Sequence, residues 1–274
     1  MSKKANWTGE RLETFVFNES TIEHLHRYAL AADLATGKKV LDIACGEGYG
    51  SHLLAKNAAT VTGMDINPET IAKAGTKYKA ANLKFETANA EKIPAPDKSF
   101  DLVVSFETLE HLEDHAAMLS EIKRVLAPGG LLVISTPDKR QYSEARNYKN
   151  PFHVKELTRN ELEALLKKYF ANIAIYGQQM THSSVITGPG NTGFDQYSGN
   201  YDRIRKNEPD EPLYLVALAS DETLPVLHAS LFSGQSILEQ ALWDKEKMVT
   251  GTITYRLGHV LLYPFKLIRN LFKK

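Results

Sequence analysis

Val40-Leu41-Asp42-Ile43-Ala44-Cys45-Gly46-Glu47-Gly48-Tyr49-Gly50 is an apolar run that breaks into glycines. Val40, Leu41 and Ile43 have the side chains of a buried strand, and Asp42 places a carboxylate at its end. Gly46, Gly48 and Gly50 let the backbone turn tightly and come close to a ligand. A strand that passes through such a turn into a helix holds a nucleotide-like ligand at the carboxyl edge of a parallel sheet.

Asp65 ends a second such strand, in Ala59-Thr60-Val61-Thr62-Gly63-Met64-Asp65. An acid there accepts hydrogen bonds from both ribose hydroxyls. Asn67 is a helix cap, Pro68 suits the first turn, and Glu69 lies near the positive helix end. Ile71, Ala74 and Tyr78 share its packed face. Two acids at successive strand ends, without a Gly-Lys-Ser/Thr phosphate loop, favour a ligand with a ribose and a positive centre.

The following stretch alternates strands and helices, which predicts a mostly parallel sheet covered on both faces. Residues 83–87 alternate as a short strand, and 100–106 are almost all apolar, as in a central strand. A helix over 114–125 carries Leu119, Ile122 and Val125 inward, and Leu131 to Ser135 is the next buried strand. Thr158-Arg159-Asn160-Glu161 is a capping box for a helix burying Leu162, Leu165 and Leu166. Strands follow at 173–176 and 213–219, the latter expected as an antiparallel edge. Between them, an excursion over 178–210 is rich in Gly, Ser, Thr and Asn. Its length suggests a binding loop or a mobile one.

The chain has 33 basic and 33 acidic residues, so its formal charge is zero and bulk electrostatics give no reason to expect nucleic-acid binding. The single cysteine, Cys45, excludes an intrachain disulfide. No apolar run approaches the roughly 20 residues of a membrane span, and the start has no signal-peptide pattern. A cytoplasmic protein is expected, with a reservation at the carboxyl end. After Glu246 there is no acidic residue, and the end mixes large apolar groups with Arg256, Lys266, Arg269, Lys273 and Lys274. Phe265, Ile268 and Phe272 lie near one helical face. That pattern suits contact with the inner face of the membrane, packing on the protein itself, or a homo-oligomer interface.

Asp42-Ile43-Ala44-Cys45-Gly46-Glu47-Gly48, Gly63-Met64-Asp65-Ile66, Phe100 to Ser105 and Val125 to Gly130 resemble, in order and spacing, the motifs of class I S-adenosylmethionine-dependent methyltransferases. Trp7 to Arg11, His24 to Tyr28, Ser105 to His111, Ser135 to Pro137 and Asn150 to His153 resemble the branch associated with bacterial cell-surface polysaccharide synthesis. The resemblance implies an α/β, doubly wound Rossmann-like sheet of seven strands. It also implies a lid segment over residues 1–35 and a methyltransferase domain over 36–220 with the excursion at 178–210, while residues 221–274 read as a helical extension with a basic amphipathic tail. The implied cofactor is S-adenosylmethionine, released as S-adenosylhomocysteine.

For that cofactor, Asp42 with Ala44, Gly46 and Gly48 would position the methionine end. Asp65 and Ile66 would take the ribose region, and Asn89-Ala90 the adenine. Asn89 departs from the family's usual Asp, but its carbonyl can still accept a hydrogen bond. Arg27 and Tyr28 are candidates for the cofactor carboxylate and body, although the sequence does not fix their direction. Ser105 and Glu107 are candidates for the pocket wall.

Glu107, Glu110 and His111 form the densest set of titratable groups. His111 is the candidate base for an acceptor hydroxyl, with Glu110 and His153 as alternatives. Arg11, Arg140, Tyr142 and Glu156 are candidates for substrate binding. The histidine spacing matches no metal motif, so no metal ligands are assigned. The expected reaction is methyl transfer to an oxygen of a sugar, sugar phosphate or glycan. A non-catalytic S-adenosylmethionine-binding scaffold and a methyltransferase of an unrelated small molecule stay open.

Overall fold

The computed structural model describes residues 12–180, 196–199, 204–207 and 212–271. Helix α1 (Glu19–Leu34) precedes strand β1 (Lys39–Ile43) and the glycine turn into α2 (Tyr49–Leu54). The chain continues through β2 (Thr60–Asp65), α3 (Pro68–Lys77), β3 (Leu83–Thr87) and β4 (Phe100–Phe106). Helix α4 (His115–Val125), β5 (Leu126–Pro137), α5 (Arg159–Leu166) and β6 (Asn172–Gln178) follow. A hairpin, β7 (Gln196–Gly199) with β8 (Ile204–Asn207), lies within the 178–210 excursion. Strand β9 (Tyr214–Ser220) and helices α6 (Gln235–Thr250) and α7 (Ile253–Leu271) complete the order.

The main sheet runs β3-β2-β1-β4-β5-β9-β6. Strands β1 to β5 are mutually parallel, whereas β9 is antiparallel to both β5 and β6. The antiparallel strand is therefore interior and β6 is the edge, which corrects the expected placement. Strand β9 is buried from Leu215 to Ser220. A strand so apolar needs neighbours on both sides, while β6 is only partly buried.

Apolar layers cover both faces of the sheet. On one, Met118, Leu119 and Ile122 of α4 and Leu162 and Leu166 of α5 pack against Leu41, Val103, Leu132 and Ala217. On the other, Tyr28 and Ala31 of α1 and Leu54 of α2 pack against Val40, Leu102, Val104 and Val133. Fully burying one such aliphatic side chain contributes about 1.5–3 kcal/mol, so these layers fix how the helices sit on the sheet.

Helix α1 starts at Glu19, because Asn18 and Thr21 form a reciprocal capping box. Its buried face carries Glu23, Arg27, Tyr28 and Ala31, whereas Ala29 is exposed. The helix crosses a polar cleft mouth, so a charge-bearing face turns inward. Helices α6 and α7 bury no described side chain. Helix α7 runs through Pro264, which lacks the N–H for a bond back to Val260. Among the described residues, no helix is long and apolar enough to cross a membrane.

Candidate active site

The carboxyl ends of β1, β2 and β4 open into a cleft of about 740 Å³, roofed by residues 12–20 and α1. Its size lies in the range of small-molecule sites. Ala44, Gly46, Asp65, Ile66, Asn89 and Ala90 line one end. The turn is left-handed at Ala44 (φ 61°), Gly46 (φ 53°) and Gly48 (φ 82°). The Gly46 N–H donates to Asp65 Oδ2 at 3.0 Å, and the Asn67 N–H donates to Oδ1 at 2.9 Å. Asp65 is thus locked in place where it meets the cleft. Asn89 turns its Oδ1 onto the Glu91 N–H at 2.9 Å, so its backbone neighbourhood is rigid.

Asp42 does not line this cleft. It is fully buried beneath it and accepts from Ser51 Oγ at 2.6 Å and from the Tyr28 hydroxyl at 3.3 Å. Burial pushes the Asp42 carboxyl up to about 7, against the pull of those two hydroxyls. Its contact fixes Tyr28, whose ring stands edge-on to Tyr49 and Phe106 and lies where a Gly50 side chain would project. Gly48 also lies off the cleft wall: it caps α2, and a Cβ there would meet Phe85 and Ala74.

The roof is tied to the turn through Glu47. Its Oε2 accepts the Thr14 N–H at 2.8 Å, and its Oε1 pairs with Lys77 Nζ at 2.9 Å. Arg11 lies outside the described residues.

Glu107 has φ 50°, a costly conformation for a side chain of this kind. Ser135 Oγ donates to its Oε1 at 2.6 Å, and Arg27 Nη1 stands 3.5 Å from the same oxygen. Arg27 is buried behind the wall. It donates to Gln178 Oε1 at 2.8 Å and lies over the Tyr214 ring. Its Nε and Nη2 have no acceptor among the described residues. Ser105, expected at the wall, is buried inside the sheet, and Phe106 takes the lining position beside it.

The other end holds Glu110, His111 and His153. Glu110 is buried, and Thr136 Oγ1 donates to its Oε2 at 3.2 Å. Burial, then the nearby Glu107 charge, raises its pKa well above the carboxylate range. His111 Nδ1 lies 2.9 Å from the Phe152 carbonyl, which can only accept. The neutral ring therefore carries its proton on Nδ1 and its lone pair on Nε2, 4.0 Å from Glu110 Oε1. His153 is more tightly engaged. Its Nδ1 meets Glu156 Oε1 at 2.5 Å, and its Nε2 meets Asn150 Nδ2 at 2.9 Å. The Asn150 Oδ1 accepts the Phe152 N–H, which sets the amide so that its NH₂ faces His153. Tyr142 stacks on His153.

Tyr142, Tyr148, Phe152 and Tyr214 give this end an aromatic wall. Glu156 acts on it through His153. Arg140 does not reach it: the turn of Arg140–Glu144 sends it to a separate cavity of about 190 Å³ with Asp138 and Arg159. Sequence reading missed Gln178 and Tyr214, which come from distant edge and interior strands and carry no local motif. It also missed the contact roles of Ser51 and Asn150, although Asn150 stood in a quoted motif.

Residues 41–134 match the family model described as "Methyltransferase domain". The fold is similar to a solved Pyrococcus horikoshii protein, with a TM-score of 0.53 and 22% identity, covering 79% of this chain and 95% of that one. The chain has the class I S-adenosylmethionine-dependent methyltransferase fold. A probable S-adenosylmethionine-dependent methyltransferase of Mycolicibacterium smegmatis is 39% identical over 163 residues, 58% of this chain and 63% of that protein. A fatty-acid O-methyltransferase of the same organism is 37% identical over 120 residues, 43% of each. The chain thus spans less than two thirds of the length of these relatives.

The residues fit S-adenosylmethionine, the ligand named in the description of the Mycolicibacterium smegmatis relative. Asp65 presents a fixed carboxylate for ribose hydroxyls, and a Cβ at Gly46 would project into open space beside it.

Proposed function

We propose that this protein methylates an oxygen of a small-molecule acceptor, and that the acceptor carries a sugar or a sugar-linked phosphate. The observation that carries the reading is the His111 Nε2 lone pair, which shares one cleft with Asp65 and the glycine turn. The bound cofactor supplies an electrophilic methyl on a sulfonium. The acceptor oxygen would take that methyl in line as the C–S bond leaves its electron pair on sulfur. His111 Nε2 takes the hydroxyl proton, while Phe152 holds the ring by Nδ1. The aromatic wall suits the flat face of a sugar ring, and Asn150 and His153 offer it polar contacts. Much of the rate would come from alignment within the cleft.

An oxygen acceptor on a lipid chain is a second reading. It is favoured by the exposed Leu257, Val260 and Leu261 on α7 and by the name of the fatty-acid relative. The same helices would bring the protein to the inner face of the cytoplasmic membrane.

Calorimetry with S-adenosylhomocysteine tests the cofactor reading, and radiolabelled methyl transfer into a cell-envelope extract tests the reaction. Heat on titration and a labelled product are expected. Mass spectrometry of the product separates a sugar oxygen from a lipid one. Absence of both heat and thermal protection by S-adenosylhomocysteine would overturn the assignment. Binding without any labelled product would favour a non-catalytic scaffold.

A further inference from the structure

The sequence contains no metal motif, yet the fold brings Glu110, His111 and His153 together. One ligand atom from each lies within 4.8 Å of the others. They come from two places in the chain, the segment after β4 and the loop before α5, which is why no spacing rule reveals them.

We propose that these three residues bind a divalent first-row transition ion at the acceptor end of the cleft. The second layer of contacts points that way. A ligating histidine usually donates its other ring N–H to a carboxylate or backbone carbonyl, which fixes the tautomer. His153 has Glu156 on Nδ1 at 2.5 Å, and His111 has the Phe152 carbonyl on Nδ1 at 2.9 Å. Both rings are thereby held as Nδ1–H tautomers with the lone pair on Nε2. Glu110, giving up its proton to solvent as the ion binds, supplies the anionic ligand, its Oε1 standing 4.0 Å from His111 Nε2. Two imidazoles and one carboxylate suit Zn²⁺, Mn²⁺ or Fe²⁺. Mg²⁺ and Ca²⁺ prefer oxygen ligands throughout.

The ligand atoms stand wider apart than the roughly 3.3 Å edge of a tetrahedron with Zn–N bonds of about 2.0–2.1 Å. Binding therefore requires the trio to contract and the Asn150 amide to leave His153 Nε2. Three protein ligands leave coordination positions free toward the cleft, where an acceptor oxygen can sit.

The role of the ion rests on the methyltransferase reading, but its binding does not. An acceptor hydroxyl on the ion loses its proton to solvent. Its oxygen then forms the new O–C bond as C–S breaks, with the electron pair left on sulfur. In that state the His111 lone pair serves the ion, and the ion replaces the imidazole as the activating group.

The test uses the full chain, stripped by chelator and titrated calorimetrically with Mn²⁺ and with Zn²⁺. One ion per chain is expected. Glu110→Gln, His111→Ala and His153→Ala should each abolish the heat. Glu156→Gln, which touches no ion, should weaken binding by about 10–100-fold. Asp65→Asn should lose S-adenosylhomocysteine but keep the ion. Co²⁺ added to the unaltered protein should give a visible absorption band, a readout that does not depend on any variant folding. No stoichiometric heat and no Co²⁺ band would overturn the site, as would full binding in the His111→Ala/His153→Ala double variant. Ion binding without methyl transfer under any condition would instead reject the functional reading and leave the site standing.

Discussion

The ring of His111 hangs by Nδ1 from the Phe152 carbonyl, 2.9 Å away, so its free lone pair is on Nε2. Whether that lone pair receives a proton or an ion, removing it should stop acceptor activation. His111→Ala should lower turnover by about 10²–10⁴-fold. Cofactor affinity should change little, because Asp65 and the glycine turn line the opposite end of the cleft. Steady-state kinetics beside calorimetry check this. Near-normal turnover at neutral pH would move the role to Glu110 or His153, or to an acceptor already ionised.

Glu47 joins the roof to the glycine turn through Thr14 and Lys77. Its side chain is partly exposed, so screening limits the contact to about 1 kcal/mol. Glu47→Ala should speed release of S-adenosylhomocysteine about fivefold in stopped flow, and Glu47→Gln should do so by less. Release rates equal to those of the unaltered protein in both variants would show that the roof does not gate the cofactor.

Ala44 occupies a left-handed conformation with φ 61°. That costs an alanine about 1–2 kcal/mol, while glycine adds about 0.4–1 kcal/mol of unfolded-state entropy. Ala44→Gly should therefore stabilise the fold by about 0.5–1 kcal/mol. In a chain of this size that is a rise of about 1–3 °C in Tm. A lower Tm would mean that the Ala44 methyl group makes contacts worth more than the strain.

Asp42 holds its proton more tightly in the folded state than its ordinary value of 3.8, up to about 7. Glu23 does the same, from 4.5 to about 7, chiefly through burial. The unfolded chain releases these protons first as pH rises, so ν_U is smaller than ν_N through that window. Their contribution to stability is full below the unfolded values and is lost as pH climbs toward about 7. Asp42→Asn should flatten this decline in thermal melts recorded across the window. Equal slopes in the variant and the unaltered protein would remove Asp42 from the account.

Leu257, Val260, Leu261 and Leu262 are exposed on α7, and the chain beyond Glu246 has only basic charge. Deleting residues 255–274 should abolish co-sedimentation with anionic liposomes and leave S-adenosylhomocysteine binding intact. Unchanged sedimentation would reject lipid contact. A lower mass in analytical ultracentrifugation would assign the face to a second copy of the chain.

The parts legible in the sequence were those set by neighbours along the chain. The Asp42 to Gly50 turn, the Asn67 cap and the Thr158–Glu161 capping box each depend on a few consecutive residues. Contacts between distant segments were not legible. Ser105 and Phe106 are adjacent, and only strand packing decides which of them faces the cleft. Arg140 was a candidate for substrate binding, but the turn after β5 points it elsewhere. The order of β9 and β6 depends on a pairing between Pro137 and Tyr214 that no local pattern records.

That strand order also matters during synthesis. Among the described residues, strand β6 meets the sheet only through β9, and β9 lies some forty residues later in the chain. A nascent chain emerging up to Gln178 thus holds β5 with one side unpaired, and β6 has nowhere to dock. Such an open apolar edge invites pairing with other chains. Messages cut short before residue 220 should yield insoluble product, while those ending just after it should yield a closed sheet. Slow translation between the codons for Gln178 and Tyr214 should be the most hazardous interval for this polypeptide.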